Sequence, residues 1–148
     1  MIKLLLFTAL LCCTFFLPPI SWLNNMDAAK QQAQQEHKYI LLNFSGSDWC
    51  IPCMKLENDI FKNEMFMQYA GNHLVLVNAD FPMKNKDKLS KEQQKMNDAL
   101  AAIYNPDGNF PFTLLLDSNG HKIKIWSGYY KDGAENFVNE IKAVTENK

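Results

Sequence analysis

Between residues 39 and 44 the chain reads Tyr-Ile-Leu-Leu-Asn-Phe, an almost unbroken apolar run of strand-forming types. Such a run predicts a central strand covered on both faces, since a half-exposed strand would alternate with polar residues. Ser45, Gly46, Ser47 and Asp48 end it with turn chemistry. From Cys50 the spacing turns helical, with Ile51, Met54, Leu56, Ile60 and Phe61 on an inner face and Lys55, Glu57, Asn58 and Lys62 toward water. Asn63 interrupts this helix before a short helical piece ending near Tyr69 and Ala70, and Gly71-Asn72 leads into a second buried strand at 74–80. Upstream, Asn25 or Asp27 can cap a polar surface helix that reaches about His37 with a thin stripe of alanines.

Residues 81–90 form a polar connection containing Pro82, Lys84, Lys86, Asp87 and Lys88, whose lysines are most simply a solvated face. Residues 91–104 predict a helix with Met96, Leu100, Ala101 and Ile103 inside. A loop at 105–109 precedes a third strand at 112–116. Asp117-Ser118-Asn119-Gly120 then makes a hairpin turn into a fourth strand near 122–126, so these last two strands are antiparallel. Gly128 and Gly133 flank a turn before a closing helix in which Ala134, Phe137, Val138, Ile141 and Val144 recur at helical spacing. The order helix, strand, helix, strand, helix, strand, strand, helix predicts an α/β domain built on a four-stranded mixed sheet with helices on both faces. A chain of 148 residues, 47% of them hydrophobic, has room for one such domain and its packed core.

At the amino terminus Lys3 precedes an apolar run from Leu4 to Leu17, the layout of an export signal. The run is shorter than the roughly 20 residues that span a bilayer comfortably. Residues 1–22 therefore read as a signal peptide, or as an uncleaved membrane anchor extending to Leu23, and residues 23–148 as the exported domain, in the periplasm or cell envelope. A net charge of −1 offers no broad basic field, which argues against nucleic acid as a partner. Of the four cysteines, Cys12 and Cys13 fall in the export segment, leaving Cys50 and Cys53 as the thiols of the mature domain. Outside the cytoplasm they meet oxidising conditions, and a bridge closing so short a loop restrains little of the unfolded chain. A purely structural bridge is thus disfavoured.

A Cys-x-x-Cys pair between a strand and a helix is what dithiol exchange requires. At a helix start, unpaired backbone N–H groups and the positive end of the dipole stabilise a thiolate, so Cys50 is the candidate nucleophile. Cys53, one turn inside, is the candidate resolving thiol that attacks Cys50 and frees the reduced substrate.

Trp49-Cys50-Ile51-Pro52-Cys53 resembles the active site of the thioredoxin superfamily, and Phe110-Pro111-Phe112-Thr113 resembles that family's cis-proline strand entry. The resemblance covers the mature domain from Tyr39 to Val144. The stretch from Phe44 to Cys50, with Lys55-Leu56-Glu57, is most similar to the C-terminal domain of the thiol:disulfide interchange reductases. It implies a thioredoxin-like fold and a thiol-disulfide oxidoreductase in which Cys50 and Cys53 are catalytic. Trp49, Ile51, Pro52, Phe110 and Pro111 are implied to support substrate, through a cis peptide before Pro111 that leaves the Phe110 backbone free to pair with a bound strand. Pro52 implies a reducing couple, hence a reductase rather than an oxidase. The implied partners are disulfide-containing proteins and a membrane reductase that donates electrons to a monomer, with no cofactor beyond the Cys50-Cys53 disulfide. In one departure, many relatives carry a buried acid on the central strand where this chain has Asn43, which leaves water, Glu57 or Asp48 to take the proton of Cys53.

Plainer readings stand beside these. Cys50 and Cys53 could be half of a zinc site or an inert bridge, although no second ligand pair accompanies them. His37, His73 and His121 are scattered without metal spacing, and no metal is expected. Trp49 belongs to a substrate-facing rim or to the core, Trp126 to packing, Pro111 to a simple strand entry, and Asn43 to a hydrogen-bonded strand. The methionines fit packing better than copper. Two other functions compete: an oxidase or isomerase using the same thiols, and a binding or chaperone-like module on the same fold.

Overall fold

The computed structural model describes residues 20–146. The export segment expected at residues 1–22 lies outside the described residues except for its last three. Within the described residues the sheet has five strands, not four. The added strand is β1 (Trp22–Leu23), which pairs in parallel with Leu76 and Val77 at one edge. Two residues are too few to carry a periodicity of their own. The strand is held in place by tertiary contact, with the Trp22 ring 5.0 Å from that of Phe61.

The chain continues through α1 (Met26–Glu36), β2 (Tyr39–Ser45), α2 (Ile51–Leu56), α3 (Glu64–His73), β3 (Leu74–Asp80), α4 (Lys91–Tyr104), β4 (Phe112–Leu116), β5 (Lys122–Ser127) and α5 (Gly133–Thr145). A π-helical turn at Glu57–Phe61 prolongs α2, and a 3-10 turn lies at Asn85–Asp87. Strand order is β1-β3-β2-β4-β5; β2 runs parallel to β3 and antiparallel to β4, and β5 returns antiparallel to β4. Among the described residues no helix is long and apolar enough to cross a membrane.

Strand alternation sorts the core into two layers. Ile40, Leu42 and Phe44 of β2, with Val75 and Val77 of β3, pack against Met26, Ala29 and Ala33 of α1 and Leu100 of α4. Leu41, Leu76 and Leu115 face the opposite way, against Leu56, Ile60, Phe66 and the closing helix. The alanine stripe of α1 is thus a packing face, and Asn25 is its cap, accepting from the Ala28 N–H at 3.0 Å. Asn63 caps α3 as an interrupting residue should, accepting from the Met65 N–H at 3.0 Å. That helix runs on through Gly71 and Asn72 to His73.

Two expected helix faces need rotation. In α4 the buried positions are Asn97, Leu100 and Tyr104, whereas Met96 and Ile103 are exposed. The cause is a polar residue that belongs inside: Asn97 Nδ2 donates to the Asp80 carbonyl at 2.7 Å while its Oδ1 accepts from Gln93 at 2.8 Å. Tyr104 likewise donates its hydroxyl to the Gly120 carbonyl at 2.9 Å. In α2 Ile51 is not an inner residue but 75% exposed, and Cys53 takes the inward position with Leu56.

On α5 the periodicity holds, burying Ala134, Phe137, Val138 and Ile141. Phe137 is a hub of aromatic contacts, with ring centroids 4.6 Å from Trp126, 5.2 Å from Tyr130 and about 6 Å from Phe61 and Phe66. Trp126 is a packing residue whose indole donates to Glu140 at 2.8 Å. Replacing Phe137 with Ala is expected to cost about 3–5 kcal/mol, because so many rings cannot collapse into one void. Chemical denaturation checks this as a fall in midpoint at unchanged slope.

Candidate functional site

The site forms where β2 hands over to α2. A tight turn folds back on Gly46, whose carbonyl accepts from the N–H groups of Trp49 at 3.3 Å and Cys50 at 2.9 Å. Cys50 then occupies the N-cap of α2 in extended backbone geometry. Pro52 sits in the first helical turn, where a missing N–H costs nothing. The Cys53 backbone N–H points at Cys50 Sγ from 3.3 Å and is shared with the Cys50 carbonyl at 3.1 Å, a bifurcated bond of the kind common at helix ends. The two sulfurs are bonded at 2.05 Å. Both cysteines are buried, with 4% and 5% of their surface exposed, beneath the exposed Ile51 and Pro52.

Trp49 lies 41% exposed beside them, with its indole N–H donating to the Phe81 carbonyl at 2.7 Å. Its ring meets Phe110 edge-on at 5.4 Å, and Phe110 meets Phe81 in the same way at 5.5 Å. The Phe110-Pro111 peptide is cis, and the Pro111 carbonyl accepts from the Gly128 N–H at 2.9 Å. The expected site residues on the two motifs are therefore joined through the Trp49-Phe110 contact. Gly46 makes that arrangement possible, because a Cβ there would intrude on the Trp49 indole.

Asp48 looks away from the cysteines. Its carboxylate accepts from the Met83 N–H at 2.9 Å and the Lys84 N–H at 2.6 Å. The Met83 bond, helped by that of Lys84, holds its pKa below the ordinary 3.8. This leaves Asp48 as an anchor for the 83–84 loop.

Beneath Cys53 the sheet changes character. On its α2-facing side β2 passes from Leu41 to Asn43 to Ser45, and β3 from Leu76 to Asn78 to Asp80, with each pair in register. Thr113 of β4 aligns with Asn43. The result is a polar row: Thr113 Oγ1 donates to Asn43 Oδ1 at 2.9 Å, and Asn43 Nδ2 donates to Asn78 Oδ1 at 3.0 Å. Ser45 Oγ lies 3.1 Å from that same oxygen and 3.2 Å from Asp80, whose carboxylate also takes the Ser47 hydroxyl at 2.6 Å. Asn43 is thus the hydrogen-bonded strand residue expected, within a network the sequence reading missed. The signal was present in the repeated step from leucine to asparagine to a further polar residue along two strands.

Above this row lies a cavity of about 200 Å³ lined by Cys53, Asn43, Ser45, Asn78, Glu57, Met54 and Trp22 among others. Its size and polar lining admit water. Glu57, in the π-helical turn, is half exposed and pairs with Lys62 at 2.9 Å. It is the carboxylate on that lining. The histidines are spent elsewhere: His121 on Asp117 at 2.8 Å, His73 stacked on Tyr69, and His37 at the left-handed end of α1. Among the described residues no three His, Cys, Asp or Glu side chains cluster as metal ligands do.

Two outcomes are expected from this geometry. Gly46→Ala should displace the indole, shifting Trp49 fluorescence and accelerating exchange of its N–H; an unchanged spectrum would count against the close approach. Because the folded pKa of Asp48 is depressed, its grip on the loop is complete above the ordinary 3.8 and is lost as pH falls through the lower value. The Met83 and Lys84 amide resonances should titrate together with a midpoint under 3.8, and a midpoint above it contradicts the assignment.

Known proteins bear on this arrangement. Residues 21–118 match the family model described as thioredoxin-like. The disulfide bond reductase DsbH of Chlamydia pneumoniae is 36% identical over 115 residues, which are 78% of this chain and 67% of that protein. A solved structure of a DsbH oxidoreductase superposes with a TM-score of 0.78 at 32% identity, covering 87% of this chain and 86% of that one. The thiol:disulfide interchange protein DsbD of Campylobacter jejuni is 27% identical over 104 residues, 70% of this chain but 16% of that much longer protein.

Proposed function

This chain belongs to the thioredoxin-like family and is a thiol:disulfide oxidoreductase, and from that premise we propose that it reduces protein disulfides in the cell envelope through Cys50 and Cys53. The observation that carries the reading is the Cys53 N–H directed at Cys50 Sγ at the head of α2. In the reduced protein that donor and the helix dipole favour a thiolate at Cys50 over one at a free cysteine.

The thiolate of Cys50 attacks one sulfur of a substrate disulfide, forming a mixed disulfide and releasing the other substrate sulfur as a thiolate. Cys53 then gives up its proton and attacks Cys50 Sγ, which closes the Cys50-Cys53 bridge and releases the second substrate thiolate. Two electrons pass from the dithiol to the substrate, whose two sulfurs collect two protons. The bonded pair is the oxidised half of this couple. A dithiol of a membrane-bound reductase restores it by the same exchange in reverse.

Reduction rather than oxidation is supported by Pro52 within the Cys-x-x-Cys pair and by the reductase name of the DsbH relative. Export is supported by the Lys3-led apolar run at residues 1–22. In this reading Trp49, Ile51, Pro52, Phe110 and Pro111 support the substrate, which the Trp49-Phe110 ring contact and the cis peptide before Pro111 favour. For the Cys53 proton, Asn43 is an amide and does not titrate, and Asp48 is bound to the 83–84 loop. Glu57 shares a cavity with Cys53 and is the acceptor, reached through water.

Two variants test this. Cys53→Ala should accumulate mixed disulfides through Cys50 that dissolve on adding excess thiol, as read by non-reducing electrophoresis, while Cys50→Ser should form none. Glu57→Gln should slow bridge closure by on the order of a hundredfold in stopped flow. An unaltered closure rate assigns the proton elsewhere.

A further inference from the structure

We propose that residues 83–88 are a recognition loop that selects substrate segments bearing an apolar side chain and carboxylates beside the reactive cysteine. The inference rests on the disulfide-exchange reading above. A mixed disulfide with Cys50 brings the substrate's Cα within about 4.4–6.8 Å of that of Cys50. At about 3.3 Å per residue, the next few substrate residues must cross the neighbouring surface. The occupant is therefore the extended segment that flanks the substrate cystine.

That surface is apolar close to the sulfurs, where Trp49 and the 75% exposed Ile51 stand. Met83, also 75% exposed, extends it from the loop. Such exposure on a mobile tip would mean little, but this loop is pinned at both of its first amides. Asp48 accepts from Met83 and Lys84, the Phe81 N–H donates to Ser45 at 2.8 Å, and the Phe81 carbonyl takes the Trp49 indole. An unbranched thioether held beside a reactive site suits varied apolar side chains.

Charge sets the second preference. Residues 83–88 hold three lysines against Asp87 alone, in a chain whose net charge is −1. Lys84, Lys86 and Lys88 are exposed, and none forms an ion pair among the described residues. The nearby acids are already committed: Asp48 to two backbone N–H groups and Asp80 to Ser47. Lys91 and Glu92, at the start of α4, offset one another. Lys84 is partly engaged by the neighbouring Asp48 carboxylate, so Lys86 and Lys88 carry most of the unspent positive charge next to the apolar step, which fits carboxylates on the incoming segment and speeds their encounter.

The test uses the full-length reduced protein and two disulfide-linked peptide dimers, each with a leucine beside its cysteine. One peptide carries two glutamates at the following positions and the other two lysines. At low ionic strength kcat/KM should favour the glutamate peptide by at least about fivefold, with the gap closing toward twofold near ~0.5 M salt as exposed charges are screened. K84Q/K86Q/K88Q should remove the preference without added salt, and M83S should erase the advantage of the glutamate peptide over a third, matched peptide with serine in place of its leucine. Equal rates in the natural protein, or a preference that survives in the triple variant, would overturn the inference while leaving disulfide reduction standing. If neither peptide is reduced, the reductase reading fails and this inference falls with it.

Discussion

A backbone donor at a helix start, the Cys53 N–H shared between the carbonyl and the sulfur of Cys50, is the constraint around which the rest of this molecule is arranged. Cys50 can receive it only as the N-cap of α2, and that position depends on the Gly46 turn delivering the chain from the end of β2. β2 is in turn fixed at the centre of the sheet, hydrogen-bonded to β3 on one side and to β4 on the other. The core on both faces therefore bears on the direction of a single N–H vector. Gly46 shows how little slack there is, since the space a methyl group would take is filled by Trp49.

The same central strand does a second job by changing the polarity of one face along its length. Its α2-facing positions are apolar where helices cover them and amide or hydroxyl where Cys53 lies above. Thr113, Asn43 and Asn78 satisfy one another across three strands, and among the described residues no buried side-chain polar atom lacks a partner. A closed amide row costs far less to bury than an unpaired carboxylate. It also separates the scaffold from the proton acceptor. No acid lies beneath Cys53 at the Asn43 position of the strand, and the carboxylate lining the cavity beside Cys53 is Glu57, set there by the π-helical turn, which makes it the proposed acceptor of the proton.

Much of this was legible in the sequence because period and motif agreed. The apolar run of β2, the helical spacing of α5 and the Cys-x-x-Cys pair each identified their element, since each is long or chemically distinct. Four things were hidden for physical reasons. β1 is too short to have a rhythm and exists through its pairing with β3 and the Trp22-Phe61 contact. The inward face of α4 was displaced by one residue because Asn97, a polar type, fills a core position with its amide doubly bonded. Ile51 counted as core by hydrophobicity, yet at the first turn of α2 the inward position belongs to Cys53, and Ile51 faces solvent. The role of Asp48 was equally out of reach, because its partners are backbone groups more than thirty residues away.

The claim under all of this is that Cys50 ionises easily because of where the helix begins. Alkylation of the fully reduced protein across a pH series, with the modified residue identified by mass spectrometry, measures that ionisation for each thiol. Cys50 should react with a midpoint well below that of an unperturbed cysteine, and Cys53 only at higher pH. A midpoint for Cys50 near the ~8.5 of an unperturbed cysteine would show that the helix start confers no activation.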